Sequence, residues 1–403
     1  MSEWVRVPLD SLLAEPLRNG VSYPSKLRGS GIPMVNMGEA FAYDVIRDQE
    51  CELVPLTERE QDRFLLEEGD LLFVRQSLVY SGAGRCVLVD SGTGPRTWES
   101  HLIRARLDKR LSDPRFVYYY FRSPQGRSNM ETIVTQVAAA GIRGSDLKKL
   151  EIPHPTLSQQ RGIADALRAL DDKIAVNERI ATTAVEMTDA VFLHAAGHLG
   201  FGEETFGSIA TVMGGGTPST KVEEFWGGDI SWTTPSDVTA LPSPYLFETS
   251  RRITETGLES CSSQLYPAHS IFMTSRATIG SFALPQIPAA VNQGFIVVLP
   301  PNDDMRWWLF HEMRSRVDEM ISLANGSTFL ELSRKNFKAM RIRLPGAGEV
   351  AAFAQKVAPL HATAAHVADE NRTLVSLRDA LLPQLMSGRL RVRDAEKIVE
   401  DHA

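Results

Sequence analysis

Residues 214–221 read GGGTPSTK, so glycines of the kind that cradle phosphate are followed by hydroxyls and a lysine. A nucleotide-hydrolysing loop needs GxxxxGK[ST], which places backbone N–H groups and one lysine around the β- and γ-phosphates. Here Lys221 follows Pro-Ser-Thr rather than glycine, and no GxGxxG spacing opens a helix after an apolar strand, so neither nucleotide fingerprint is present. His194 and His198 stand four apart but have no glutamate between them and no third ligand, and His361 and His366 have the wrong spacing for one helix face. HExxH, GxSxG and CxxC are all absent, and no pair of carboxylates can be picked out for acid–base work. No catalytic residue and no metal site is assigned.

Binding chemistry is better represented. The hydroxyl-rich loop supplies Thr217, Ser219, Thr220 and Lys221, and a second loop at 18–28 supplies Arg18, Asn19, Ser25, Lys26 and Arg28. Hydroxyls interspersed with one or two cations suit phosphate positioning and polar base edges. Arg75 and Arg276 each fall at the end of a strand-like run before a glycine turn, from which a guanidinium can reach a guanine edge bidentately. Two stretches concentrate cations: Arg104, Arg106, Lys109, Arg110, Arg115, Arg122 and Arg127, and then Arg334, Lys335, Lys338, Arg341 and Arg343. Both are expected to form local phosphate-binding faces.

These residues must be held by elements, and the elements occur twice. RNGVSYPSKLRGSG at 18–31 answers GGGTPST, and the β-like IPMVNM at 32–37 answers ISWTTP at 230–235. GDLLFVRQSLVYSGAGRCVLV answers HSIFMTSRATIGSFALP, FVYYYFRS answers RWWLFHEMRS, and DLKKLEIPHP answers NFKAMRIRLP. The last pair sets Leu147 on Phe337, Leu150 on Met340 and Ile152 on Ile342. A period of half the chain implies two similar domains, as does a length of 403 residues. Gly227 and Gly228 read as turn residues, and Trp226 and Trp232 as core anchors rather than stacking platforms.

Each repeat closes on a long helix. No proline interrupts 157–197, where Ile163, Leu167, Leu170 and Ile174 follow 4-3-4 spacing. From 350 onward Phe353, Val357, Leu360, Ala364, Val367, Leu374, Leu381 and Leu385 continue the pattern, with Asn371 and Arg378 the exceptions. Such alternation marks a coiled-coil seam, and Asn177 and Asn371 are polar residues of the kind that fix register. The expectation is an α+β chain in which two similar globular domains (1–156 and 201–345) alternate with a long helix at 157–200 and, at 346–403, a second long helix with a C-terminal tail. The helices pair antiparallel as a coiled coil and separate the domains, with pseudo-twofold symmetry.

Bulk properties fit a soluble protein without a disulfide framework: 43% hydrophobic, 23% charged, net charge −7 and three scattered cysteines. Residues 1–156 carry 20 Lys/Arg against 21 Asp/Glu and residues 205–349 carry 12 against 14, so binding to a polyanion must use local faces. No apolar leader or membrane span is evident, which leads to a cytoplasmic expectation.

Against this background GGGTPSTKVEEFWGGDISWTTPSD resembles the opening of a target recognition domain in Type I restriction–modification specificity subunits. SRATIG, NQGF at 292–295, SRKNFKAMRIRLP and the tail ALLPQLMSGRLRV support the resemblance. It covers nearly the whole chain. The first repeat departs from it, lacking GGTPS and FWGGD and carrying Ser100-His101-Leu102 where Asn292-Gln293-Gly294 would align. What the family implies is a non-catalytic DNA-binding subunit whose two domains each read half of a bipartite double-stranded sequence. Its helices dock two adenine methyltransferase subunits, and restriction–translocase subunits join them. S-adenosylmethionine and ATP with Mg then belong to the partners, and this chain binds no cofactor. The expected DNA-contacting set is Thr217, Ser219, Thr220, Lys221, Arg276, Gln293, Arg75, Lys26, Arg28 and Arg143. The expected helix seam, which also serves partner docking, is Ile163, Leu167, Leu170, Ile174, Phe353, Val357, Leu360, Leu374 and Leu381. Two other classes stay open: a coiled-coil adaptor that never meets DNA, and a DNA-modifying enzyme with an unrecognised site. Methyl transfer by the purified chain would favour the enzyme; indifference to changes at Arg276 or Lys221 would favour the adaptor.

Overall fold

The computed structural model describes residues 4–92, 94–136, 139–326 and 330–400 and resolves into two compact units, 1–173 with 374–403, and 174–373. Each unit contains one repeat together with parts of both long helices.

In the first unit a five-stranded sheet runs in the order Arg18–Asn19, Leu102–Ala105, Leu71–Val74, Cys86–Val89, Val45–Ile46. Only the last pairing is parallel. Its three central strands are buried along their whole lengths, as expected of near-continuous apolar runs such as LLFV and CVLV. A three-stranded sheet, Glu52–Val54, Ile32–Val35, Thr97–Trp98, again ends on a parallel pair. The aromatic helix Pro114–Arg122 buries seven of its nine side chains, and the carboxylate of Asp113 caps its first turn.

The second unit repeats this topology. Thr211–Met213, Phe295–Leu299, Ile271–Thr274, Phe282–Pro285 and Tyr245–Leu246 form its five-stranded sheet, with the parallel pair in the same place. Arg251–Ile253, Trp226–Thr233 and Ala289–Val291 form the three-stranded sheet, also ending on a parallel pair. The offset predicted between DLKKLEIPHP and NFKAMRIRLP appears as matching burial: Leu147, Leu150 and Ile152 on one side, Phe337, Met340 and Ile342 on the other, are all buried.

The long helices span Leu157–Ala196 and Ala347–Met386. They pack antiparallel within each unit. In the first unit Asp171 meets Arg378 at 3.0 Å, and beyond the end of the second helix Val392 packs over Gly162; in the second unit Asn177 meets Asn371 and Phe192 meets Phe353. Ile163, Leu167, Leu170, Ile174, Phe353, Val357, Leu374 and Leu381 are all buried, as the seam requires. Leu360 is the exception. It is only half-buried, and His361 takes the inward position, because the burial steps from Val357 by four rather than by three. His194 and His198 are exposed near the helix end. Among the described residues no helix is long and apolar enough to cross a membrane.

Asn177 is 2% exposed and donates to Glu370 at 2.6 Å and to Asn371 at 2.9 Å, while the Asn371 amide reaches the Ile174 carbonyl at 3.0 Å. Asparagines in an apolar seam that must reach acceptors on the facing helix, as Asn177 reaches Asn371 and Asn371 reaches the Ile174 carbonyl, are satisfied in only one alignment, which is how such residues specify register. Asn371→Ala removes one acceptor of a buried amide. The expected cost is about 1–3 kcal/mol, read as a lower urea midpoint at unchanged slope.

Candidate nucleic-acid interface

In the second unit three segments converge at one end of the five-stranded sheet. Residues 214–221 leave strand Thr211–Met213, the 275–281 turn leaves Ile271–Thr274, and residues 292–294 lead into Phe295–Leu299. The glycine run is not a cradle. The Gly216 N–H donates to the Val291 carbonyl at 3.1 Å, and a Cβ on Gly215 would overlap the carbonyl oxygens of Val291 and Asn292. All three glycine carbonyls are capped, that of Gly214 by the Tyr266 hydroxyl, Gly215 by Ser262 at 3.1 Å and Gly216 by the Trp232 indole at 3.1 Å. These glycines let backbone lie directly against core, and their polar groups face inward.

What faces outward begins at Thr217. Its hydroxyl donates to the exposed Gln293 side chain, and Asn292 fixes that turn by accepting the Gly294 N–H at 2.8 Å. The Gly294 carbonyl accepts from Ser275, so Arg276 follows immediately beside it. The structure thus brings Thr217, Gln293 and Arg276 to one sheet end. The Arg334 guanidinium lies against Gly214, at 3.1 Å from where a side chain there would begin. Ser219, Thr220 and Lys221 continue along the exposed loop. Arg276 is held by both oxygens of Glu331 at 2.9 Å, with each side chain a little under half exposed, so contact with a base would require it to exchange partners. Lys221, Arg334, Lys335 and Lys338 are exposed and carry no ion pair among the described residues.

The first unit builds the same end from different side chains. Gly20 repeats Gly215: a Cβ there would overlap the carbonyls of Trp98 and Glu99, and the next N–H, of Val21, donates to Trp98 at 2.9 Å. Six residues beyond these glycines stand Lys26 and Lys221, both exposed. Arg28 is tied to its own loop by the Tyr23 carbonyl at 2.8 Å and Glu52 at 2.6 Å. The Arg75 N–H donates to His101 at 2.8 Å and its carbonyl accepts from Ile142 at 2.9 Å, which sets Arg143 beside it. Arg75 is half-buried and Arg143 exposed, and neither carries an ion pair among the described residues.

Several expectations need correction. Leu102 pairs with Val74 as Phe295 pairs with Thr274, so Arg75 is the counterpart of Ser275, and Gln76 that of Arg276. By the same register Glu99-Ser100-His101, not Ser100-His101-Leu102, corresponds to Asn292-Gln293-Gly294. The cation stretch beginning at Arg104 is not a free phosphate face. Arg104 is buried on Glu15; Arg106 meets Glu15, Glu67 and Asp70; Arg115 meets Glu68 and Asp90; Arg122 meets Asp44; Arg127 meets Glu131. The hydrogen bond from Arg104 leads in holding Glu15 below the usual carboxylate range. Arg343 likewise serves a buried pair with Glu312. Trp232 is a core anchor, 3% exposed, but Trp226 is half-buried and carries Arg251 stacked 3.6 Å from its ring centre. Arg251 escaped the sequence reading, since SRRI gives no spacing signal tying it to an indole 25 residues earlier. Among the described residues no group of three His, Cys, Asp or Glu is placed to hold a metal.

Residues 1–184 and 200–358 match the model of the Type I restriction modification DNA specificity domain. The chain is 36% identical over 143 residues to the MjaIX specificity subunit of Methanocaldococcus jannaschii, covering 35% of this chain and 33% of that protein. It is 31% identical over 185 residues to the EcoKI specificity subunit of Escherichia coli K12, covering 44% and 38%. The chain thus spans about a third of the length of these relatives. The S subunit from M. genitalium shares the fold at a TM-score of 0.60, with 19% identity over 95% of this chain and 96% of that one. With two matches that together take up most of its length, the chain belongs to the Type I restriction modification DNA specificity family.

Proposed function

We propose that this chain is the DNA-reading subunit of a Type I restriction–modification complex, each unit reading one half of a bipartite duplex target. The carrying observation is the duplicated sheet end: Gly20 and Gly215 lie against equivalent carbonyls, and each opens a loop that presents a lysine with no ion pair among the described residues. In this reading Lys26 and Lys221 contact phosphate, with Ser219 and Thr220 alongside. Thr217, Gln293, Arg276, Arg75 and Arg143 face base edges or neighbouring phosphates, and Arg28 shapes its loop. The paired helices set the unread gap and receive two methyltransferase subunits. Val176, Ile180 and Met187, spaced by four and seven, put an exposed apolar stripe on the first helix that suits such docking. Catalysis, S-adenosylmethionine, ATP and Mg belong to the methyltransferase and restriction partners, and the complex works in the cytoplasm.

Long-read mapping of modified adenines in cells that express the chain with its partner methyltransferase tests this. A discontinuous motif is expected; a continuous one would overturn the assignment of one half-site to each unit. Lys26→Ala and Lys221→Ala should each weaken binding on all sequences. Each should also lower the slope of log affinity against log salt by about 0.9, one phosphate contact apiece. Arg276→Ala should instead cost roughly 1–3 kcal/mol on the cognate site and relax one base pair.

A further inference from the structure

The two sheet ends differ most in the turn between the central strands. Phe73 pairs with Cys86 and Met273 with Phe282, so the first unit's turn is four residues longer. The additional length goes outward. Leu78 is 92% exposed, Val79 64% and Tyr80 41%, whereas Ile279 in the shorter turn is 8% exposed and packs into the core. Three neighbouring apolar side chains in water are an unusual use of a loop, and contiguous exposed apolar surface marks a contact.

The turn is also tied down by hydrogen bonds on both sides. Its strand entry, Gln76–Ser77, pairs with Ala140–Gly141, and the Val79 N–H donates to the Ser77 hydroxyl at 3.0 Å. Tyr80–Gly82 forms a tight 3-10 turn. Arg127 reaches under it to donate to the carbonyls of Ala83 at 2.8 Å and Tyr80 at 3.3 Å. Leu78 is therefore held out by structure, which lowers the entropic cost of binding through it.

Its neighbours identify the occupant. The turn begins directly after Arg75, and Arg75 and Arg143, joined through Ile142, flank its base without acidic partners among the described residues. A surface that places unpaired guanidiniums beside projecting apolar tips fits a ligand that is anionic along its edge and apolar between its charges. The major groove of DNA has that character, and its apolar group is the thymine C5-methyl. We propose that the 77–84 turn is an apolar reading finger of the first unit, with Leu78 contacting a thymine methyl in that unit's half-site. The inference rests on the DNA-reading function proposed above.

The test uses the full chain with its partner methyltransferase. Leu78→Ala, at a nearly fully exposed position, should leave the thermal midpoint unchanged. It should weaken cognate binding about tenfold and relax one A·T position in one half-site of the methylation motif. The other half-site should stay intact. Deoxyuridine in place of that thymine should weaken the wild-type complex about fourfold, the equivalent of ~0.8 kcal/mol for one methyl-sized group, and should leave Leu78→Ala unaffected. Equal sensitivity of both proteins to deoxyuridine would overturn the finger. So would loss of methyltransferase co-purification with an unchanged motif, since Leu78 would then contact a protein. If Arg75→Ala and Lys26→Ala also leave DNA binding untouched, the DNA-reading function itself fails; if they weaken it while Leu78→Ala changes nothing, only the finger does.

Discussion

Replacing Glu312 with alanine is expected to destabilise the second unit by about 3 kcal/mol or more. Its carboxylate is fully buried and accepts from Arg316 at 3.0 Å, from Arg343 Nε at 3.0 Å and from the Arg343 backbone at 3.2 Å, with Arg343 Nη2 in ion-pair contact at 2.9 Å. Removing one partner of a buried ion pair leaves uncompensated charge, typically at a cost of 3–5 kcal/mol. The lower end is expected here because Arg316 keeps Glu319 at 2.8 Å and Arg343 keeps Ser315 at 2.8 Å. Glu312→Gln retains acceptors without the charge and should cost less. Chemical denaturation decides: a loss below 1 kcal/mol for the alanine variant would show that the pair is dispensable. Glu312 lies on the helix Asp303–Arg314, and Arg343 lies just ahead of the second long helix, so the pair anchors the entry to that helix.

The second large effect is acid lability of the same unit. The Asp189 carboxylate meets His311 at 2.7 Å, His311 meets His361 at 2.9 Å through their Nε2 atoms, and the Tyr245 hydroxyl meets His361 Nδ1 at 2.8 Å. Arg314 also reaches Asp189 at 2.7 Å, and Trp307 stacks on His361 at 4.1 Å between ring centres. Burial, followed by the proximity of His311 and Arg306, lowers His361 to about 2, and burial also lowers His311 against the pull of Asp189. Burial alone would raise Asp189, but the hydrogen bonds from His311 and Arg314 outweigh it and bring it to about 2. A histidine lowered on folding stays neutral in the folded chain while the unfolded chain takes up a proton below about pH 6.5. Its contribution is therefore complete above pH 6.5 and is lost as pH falls. At ~1.4 kcal/mol per pH unit, His361 accounts for about 3 kcal/mol by pH 4.5, and His311 adds in the same direction. Asp189 joins only below its ordinary value near pH 4. Urea titrations at pH 7.5 and 5.0 should differ accordingly, and the double change His361→Leu with Tyr245→Phe should reduce the difference. Identical midpoints at the two pH values would show that these histidines ionise as freely folded as unfolded.

The sequence made the repeat, the sheet content and the seams legible, because burial follows period. Ile163, Leu167, Leu170 and Ile174 declare themselves by spacing alone. His361 did not, since a polar ring inside a seam is indistinguishable from a surface residue until Tyr245 and His311 are seen to satisfy it. The cation stretch from Arg104 to Arg127 misled for a related reason: apart from the local pairs on Asp108 and Glu131, its acids lie at Glu15, Asp44, Glu67, Glu68, Asp70 and Asp90, up to 91 positions away in the chain. Local charge density cannot report partners that only the fold supplies. The correspondence of Arg75 with Ser275 and of Ser100 with Gln293 leaves no mark in the sequence, because the two repeats share no residue identities there to anchor it. Strand pairing fixes it.

Residues 374–403 belong to the unit that also contains residues 1–173, through Asp171 on Arg378, Gln125 on the Pro383 carbonyl at 3.1 Å, and Trp4 against Gly388. A stop codon at position 374 would therefore strike the half encoded first, residues 1–173, while residues 174–373, just upstream of the lesion, would keep the packing within their own unit. Genetic damage and folding damage fall on opposite halves of the message.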